Sequence, residues 1–363
     1  MNINLLVSLY KYAGRQGENF TTEAFVHLLE HMVVYQPTAA GRILSCLTGD
    51  QLVLSKFDPK TVRFTTQDIT ENGTPDVRID APGYLGYIEV KLGAALGKNQ
   101  LSNYRKRLKN SGIAQTSLTL LTRYPYEIPQ GEEPDVAIRW FQVAQWLENE
   151  LASGILDSVS RYLAQQFLGF LEALNITIHQ VHSGISEGLR AFLANNGDFF
   201  TNGTRYRNPG KLLESPELLP LYQLMYLLGE AAVGVKDHDG KNFQVRFDSG
   251  QHNGGWIGYN LNKMDYFIQV SVSQPEKLIF NTYRRPFDPA LWDGAVGRYR
   301  RDRSPNRWEN VLDLAAPEPG FFDLEKTQQF DLIQKFVQDS IEAAEKCSPV
   351  VQREQDQVVG NQE

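Results

Sequence analysis

The chain has 363 residues, 42% of them hydrophobic, enough to bury one or two substantial cores. Its net charge of −7 does not mark it as a nucleic-acid binder in bulk, although a locally basic groove is compatible with it. There is no run of roughly 18 uninterrupted apolar residues, no secretory signal pattern in MNINLLVSLYKYAGR, and no disulfide or zinc pattern around Cys46 and Cys347. These absences lead to the expectation of a soluble, cytoplasmic protein that does not enter a membrane.

Residues 22–35 place Phe25, Leu28, Leu29, Met32 and Val33 on one helical face. Strand-like runs follow at TVRFTTQ from Thr61, DVRID from Asp76 and YLGYIEVKL from Tyr84. A helix is expected from Lys98 (KNQLSNYRKRLKN), then a strand from Thr116, a turn-rich stretch, and a short strand that runs into a helix near residues 136–151. The order is αβββαββα, which calls for an α/β fold with a mixed sheet flanked by helices. Beyond residue 155 the pattern changes to helices near 155–174, 184–195 and 215–231, a strand-rich meander from Phe243, and a helix near 323–345. The expected organisation is a first domain over 1–155, a helical plus β-meander (α+β) accessory domain over 156–345, and a polar, disordered tail over 346–363.

The stretch TPDVRIDAPGYLGYIEVK carries the main chemical signal. Val77 and Ile79 alternate with Asp76, Arg78 and Asp80, while Ile88 and Val90 alternate with Glu89 and Lys91, the pattern of half-buried strands. A tight turn at Pro82-Gly83 pairs residue 80 with residue 85 and sets Asp76 opposite Glu89; another loop register shifts the match by a residue or two. Opposed like charges cost a strand pair up to about 1 kcal/mol, and a hard divalent cation would compensate. Asp76, Glu89 and the Val90 carbonyl supply oxygens for such an ion, and Lys91 a positive charge for an attacking hydroxide or a phosphorane. The bland alternative is a surface hairpin with a solvated charge cluster.

Two further features bear on the choice. Gln100 and Tyr104 are four apart on one helical face, continued by Arg107, and the surrounding Arg105, Lys106 and Arg107 add positive charge suited to phosphate. Glu23 falls in the expected first turn of the opening helix, behind a Thr21 cap, where the dipole favours a carboxylate and where it could reach a metal through water.

Taken together, Pro75-Asp76, Glu89-Val90-Lys91 on the next strand, Gln100 with Tyr104, and the acidic TEAF helix resemble the PD-(D/E)XK nuclease superfamily, its RecB-like branch in particular, over roughly residues 18–150. The resemblance implies a restriction-endonuclease-like core and Mg²⁺- or Mn²⁺-dependent hydrolysis of phosphodiester bonds, with DNA favoured over RNA and endo- or exonuclease action open. It implies that Asp76 and Glu89, with Val90, hold the metal, that Lys91 positions or activates water, and that Gln100, Tyr104 and Glu23 complete the catalytic set. It further implies a homodimer or a complex partner, and a role in antiviral defence or DNA processing by analogy. The rival from another class is a catalytically idle nucleic-acid-binding or assembly subunit that keeps this fold.

Other motifs compete. HLLEH (His27, Glu30, His31) has the spacing of an inverted zinc-protease motif but reads as a wet helix face, and KDHDGKN at 236–242 reads as a turn. The stretch 283–308 interleaves seven arginines, among them Arg298, Arg300 and Arg301, with aromatics, and suggests a nucleic-acid platform.

Overall fold

The structure, a computed structural model, describes residues 4–347 apart from 68–72, 127, 197–207, 237–242, 251–254, 263–264, 283–287, 292–293, 295, 301–306 and 317–319. Two compact units make up the chain, one of Met1–Arg123 with Ile128–Thr177 and one of Tyr124–Glu127 with Ile178–Glu363. Both are mixed α/β, each built on one sheet with helices against it.

In the first unit, helices α1 (Leu5–Tyr10), α2 (Gly17–Tyr35) and α3 (Pro37–Thr48) precede strands β1 (Arg63–Thr66), β2 (Val77–Ala81) and β3 (Tyr84–Lys91). Helix α4 (Gln100–Asn110), strands β4 (Gln115–Thr122) and β5 (Val136–Arg139), and helices α5 (Trp140–Ala152) and α6 (Ser158–Ala173) complete it. The sheet order is β1-β2-β3-β4-β5, antiparallel over the first three strands and parallel over the last three. Pro82 and Gly83 turn β2 into β3 with Gly83 at φ 76°, a conformation open to glycine, and the ladder pairs Asp80 with Leu85 as the turn chemistry demands.

Every residue of β3 is buried, so the half-buried alternation expected for this strand is not what forms. The reason is helical cover on both faces. Val77, Ile79, Ile88 and Val90 belong to a core shared with α2, α3, α5 and α6, while Leu85, Tyr87, Leu118 and Leu120 pack against Leu101, Tyr104 and Leu108 of α4.

Two expectations need correction. Helix α2 begins at Gly17 rather than at residue 22, with Glu18 in its first turn. Thr21 is therefore no cap: the hydroxyls of Thr21 and Thr22 donate back to the carbonyls of Gly17 and Glu18 at 2.8 and 2.9 Å, inside the helix. Helix α6 belongs to the first unit, so the division falls after Thr177 rather than at 155. Phe167 and Phe170 of α6 lie in the first core, with Phe167 stacked on Phe25 at 5.6 Å. Helix α3, which opens on Pro37 and closes on the left-handed Gly49, adds Ile43, Leu44 and Leu47 to that core.

The second unit holds helices α7 (Ile185–Asn195) and α8 (Leu219–Val233) and strands β6 (Val245–Gly250), β7 (Trp256–Leu261), β8 (Tyr266–Ser271), β9 (Gln274–Thr282), β10 (Arg298–Arg300) and β11 (Arg307–Asp313), closed by helix α9 (Lys326–Lys346). Its six strands run in the order β10-β11-β9-β8-β7-β6, every neighbouring pair antiparallel. Helices α8 and α9 hold one face: Tyr259 of β7 donates to the Met225 carbonyl at 2.9 Å, and Asn310 of β11 donates to the Ser340 hydroxyl at 3.0 Å. Of the tail expected to be disordered over 346–363, Lys346 closes α9 and Cys347 is buried as its cap, while 348–363 lie outside the described residues.

Candidate active site

The ladder of β2 against β3 ends at Val77 and Ile88, and one step further along the same register sets Asp76 opposite Glu89. Because β2 stops there, the Val90 N–H has no strand partner, and the Asp76 carboxylate accepts it at 2.8 Å through Oδ2. A strand residue sends its N–H and its C=O to the same edge, so the Val90 carbonyl also faces the Asp76 side, whereas Lys91 offers its carbonyl to the N–H of Arg123, the residue after β4, at 2.8 Å.

Glu89 and Lys91 are two apart and share the face that α4 covers. Asp76 is 8% exposed, Glu89 1% and Lys91 9%, which excludes the solvated hairpin. The Lys91 ammonium donates to Glu89 Oε1 in a short ion pair. The Gln100 amide donates to the same Oε1 at 2.6 Å and stands 3.1 Å from the Tyr104 hydroxyl. Tyr104 is itself buried, edge-on to Tyr87 at 6.0 Å. Asp76, Glu89, Lys91, Gln100 and Tyr104 thus form one connected cluster.

One oxygen stands outside this network. Glu89 Oε2 is fully buried and has no hydrogen-bond partner among the described residues. Burial, and then repulsion from Asp76, push the Glu89 carboxyl from 4.5 up to about 7, against the opposing pull of Lys91. On Lys91 burial opposes the charge, but Glu89, Asp76 and Glu18 together outweigh it and the pKa is raised, so the ammonium stays protonated. Burial and the nearby Glu89 also raise Tyr104, whose hydroxyl stays neutral.

The acidic helix contributes through a residue that sequence reading missed. Glu18 accepts the Leu92 N–H at 2.7 Å through Oε2, and its Oε1 lies 3.8 Å from the Lys91 ammonium. Glu23 is exposed, a turn and a half further along α2. The signal for Glu18 was available only with the correct helix start, since a first-turn carboxylate is what the dipole favours.

The remaining positions differ in fate. Arg105 is pinned to Asp135 at 2.9 Å and to the Glu133 carbonyl at 2.7 Å; Arg107 lies over the Tyr87 ring at 5.2 Å; Lys106 is exposed. Arg298 and Arg300 sit on β10, their side chains outside the description, and Arg301 lies outside the described residues, as do residues 237–242 of KDHDGKN. In HLLEH, His27 and Glu30 are exposed, and His31 bonds the Ser160 hydroxyl at 3.0 Å and packs on Tyr35 at 4.7 Å.

Among the described residues no group of three or more His, Cys, Asp or Glu is arranged to hold a metal ion. Asp76 and Glu89 with the Val90 carbonyl nevertheless suit a hard divalent cation, because Mg²⁺ is commonly held through one or two carboxylates and keeps waters on its other positions. Glu89 Oε2 is a bare buried acceptor, and the three carboxylates Asp76, Glu89 and Glu18 against one ammonium leave a formal charge of −2 when ionised. A divalent ion cancels that charge.

Compared with family models, curated proteins and solved structures, the chain matches none of them. Among the described residues no helix is long and apolar enough to cross a membrane.

Proposed function

We propose that the first unit is a PD-(D/E)XK-type, metal-dependent nuclease with a restriction-endonuclease-like core, hydrolysing phosphodiester bonds with DNA favoured over RNA. The observation that carries this reading is the buried cluster in which Asp76 faces Glu89, Lys91 pairs with Glu89, and Glu89 Oε2 is left bare. Buried polar groups are mostly hydrogen-bonded, so a bare buried carboxylate oxygen calls for an explanation, and a cation site supplies one.

In this reading Asp76, Glu89 and the Val90 carbonyl hold Mg²⁺ or Mn²⁺, which when bound polarises the phosphoryl group and acidifies water. Lys91, protonated and buried, stabilises negative charge developing on the phosphoryl oxygens rather than taking a proton. Gln100 orients the Glu89 carboxylate and is steadied by Tyr104, while Glu18 holds the end of β3 through Leu92 and adds negative charge beside Lys91. Exposed Lys106 of α4 is available to a backbone phosphate, whereas Arg105 is held by Asp135.

The test is cleavage of plasmid, single-stranded DNA and RNA with Mg²⁺ or Mn²⁺, beside Asp76→Ala. Cleavage by wild type that EDTA and Asp76→Ala both abolish is the expected result. Activity that survives the substitution removes the site; DNA binding without cleavage by wild type favours the idle binding subunit.

Glu18 and Glu23 of α2 provide an internal comparison. Glu18→Ala is expected to slow cleavage about 10- to 100-fold, the usual effect of losing a partner behind the metal ligands. Glu23→Ala, at an exposed site, is expected to leave the rate unchanged, and steady-state cleavage of one oligonucleotide by both variants checks this.

A further inference from the structure

We infer that Gln67 is a positioning residue for the divalent cation, an inference that rests on the nuclease reading above. Strand β1 pairs Thr65 with Arg78 and Thr66 with Val77, so the next residue, Gln67, comes level with Asp76 on the face that also carries Glu89. The chain does not simply continue as strand. Gln67 turns to φ 51°, in the left-handed region that non-glycine residues seldom enter.

That turn lets one residue bond Asp76 twice. The Gln67 N–H donates to the Asp76 carbonyl at 3.0 Å, and its side-chain amide donates to Asp76 Oδ1 at 3.1 Å. The same amide nitrogen lies 3.4 Å from Asn19 Oδ1 on α2. With Val90 N–H on Oδ2, both Asp76 oxygens receive a hydrogen bond, which fixes the carboxylate plane while leaving each oxygen a lone pair for a cation. A glutamine held at positive φ, at a place where glycine or asparagine would sit more easily, is explained by this side-chain contact.

Gln67→Gly tests the assignment because glycine accepts φ 51° without strain, so loss of the amide is separated from loss of the turn. Mn²⁺ affinity measured by calorimetry, with no nucleic acid present, is expected to fall about 10- to 100-fold, and the Mg²⁺ concentration for half-maximal cleavage to rise in step. Gln67→Asn, which also tolerates this backbone but is one methylene shorter, is expected to recover only part of the loss. Wild-type Mn²⁺ affinity in Gln67→Gly overturns the inference and leaves the nuclease reading standing. A wild-type protein that binds no Mn²⁺ and cleaves nothing overturns both.

Discussion

Lys91→Ala is expected to reduce cleavage by about 10²- to 10³-fold or more, the scale set by removing one donor aimed at developing negative charge. The reason is that among the described residues Lys91 is the cation paired with Glu89, and it is buried where its field is little screened. The same substitution weakens the fold. Breaking a buried ion pair by removing one partner costs about 3–5 kcal/mol, because the other charge is left in a poor solvent. Glu89 has an escape, since its carboxyl already lies near 7 and loss of the lysine drives it higher, so it takes up a proton. The stability loss should therefore be smaller at about pH 5 than at about pH 8, whereas the catalytic loss is present at both. Lys91→Met, which keeps the apolar stem, should match the alanine variant in activity. Urea unfolding and single-turnover cleavage of both variants check this, and an active Lys91→Met removes Lys91 from the chemistry.

The second large effect is a pH dependence that the cation reverses. In the folded chain the Glu89 carboxyl is raised from 4.5 to about 7 by burial and by Asp76. Below the unfolded value the carboxyl is protonated in both states, and its favourable contribution is fully present. Between the two values the unfolded chain ionises first, so stability falls as pH rises, and the loss is complete above the folded value. A shift of this size amounts to about 3 kcal/mol. A divalent ion on Glu89 and Asp76 favours the ionised form and opposes the loss. Thermal melts without cation should therefore fall from about pH 5 to about pH 8, and Mg²⁺ should raise the melting temperature strongly at about pH 8 and weakly at about pH 5. An Mg²⁺ effect equal at both pH values removes Glu89 as a ligand. The half-saturating Mg²⁺ concentration should also fall as pH rises.

Much of this arrangement was legible in the sequence, for identifiable reasons. A tight turn at Pro82-Gly83 pairs residue 80 with 85 and Asp76 with Glu89, and of the registers the loop allows it is the one that forms. The four-residue spacing of Gln100 and Tyr104 placed both on one helical face, and the bond between them follows. The burial of Glu89 and Lys91 was not legible, because polar alternation looks the same whether the polar face meets water or another helix. Glu18 is not legible because Thr21 resembles a cap, and only the bonds of Thr21 and Thr22 back to Gly17 and Glu18 place both inside the helix. TVRFTTQ reads as strand to its end, and nothing in it announces a left-handed backbone at Gln67. The place of α6 in the first unit depends on which core receives Phe167 and Phe170, a tertiary choice that periodicity does not encode.

The two units are not beads on a string. Tyr124–Glu127 belongs to the second unit although the sequence on either side, to Arg123 and from Ile128, belongs to the first. Tyr124 stands edge-on to Tyr226 of α8 at 5.9 Å, so the short excursion is part of that unit's own packing. No single cut separates the two units: a fragment ending at Thr177 keeps Tyr124, which belongs with Tyr226 in the second unit. A chimera joined after Thr177 therefore leaves Tyr124 on one side of the junction and its ring partner Tyr226 on the other.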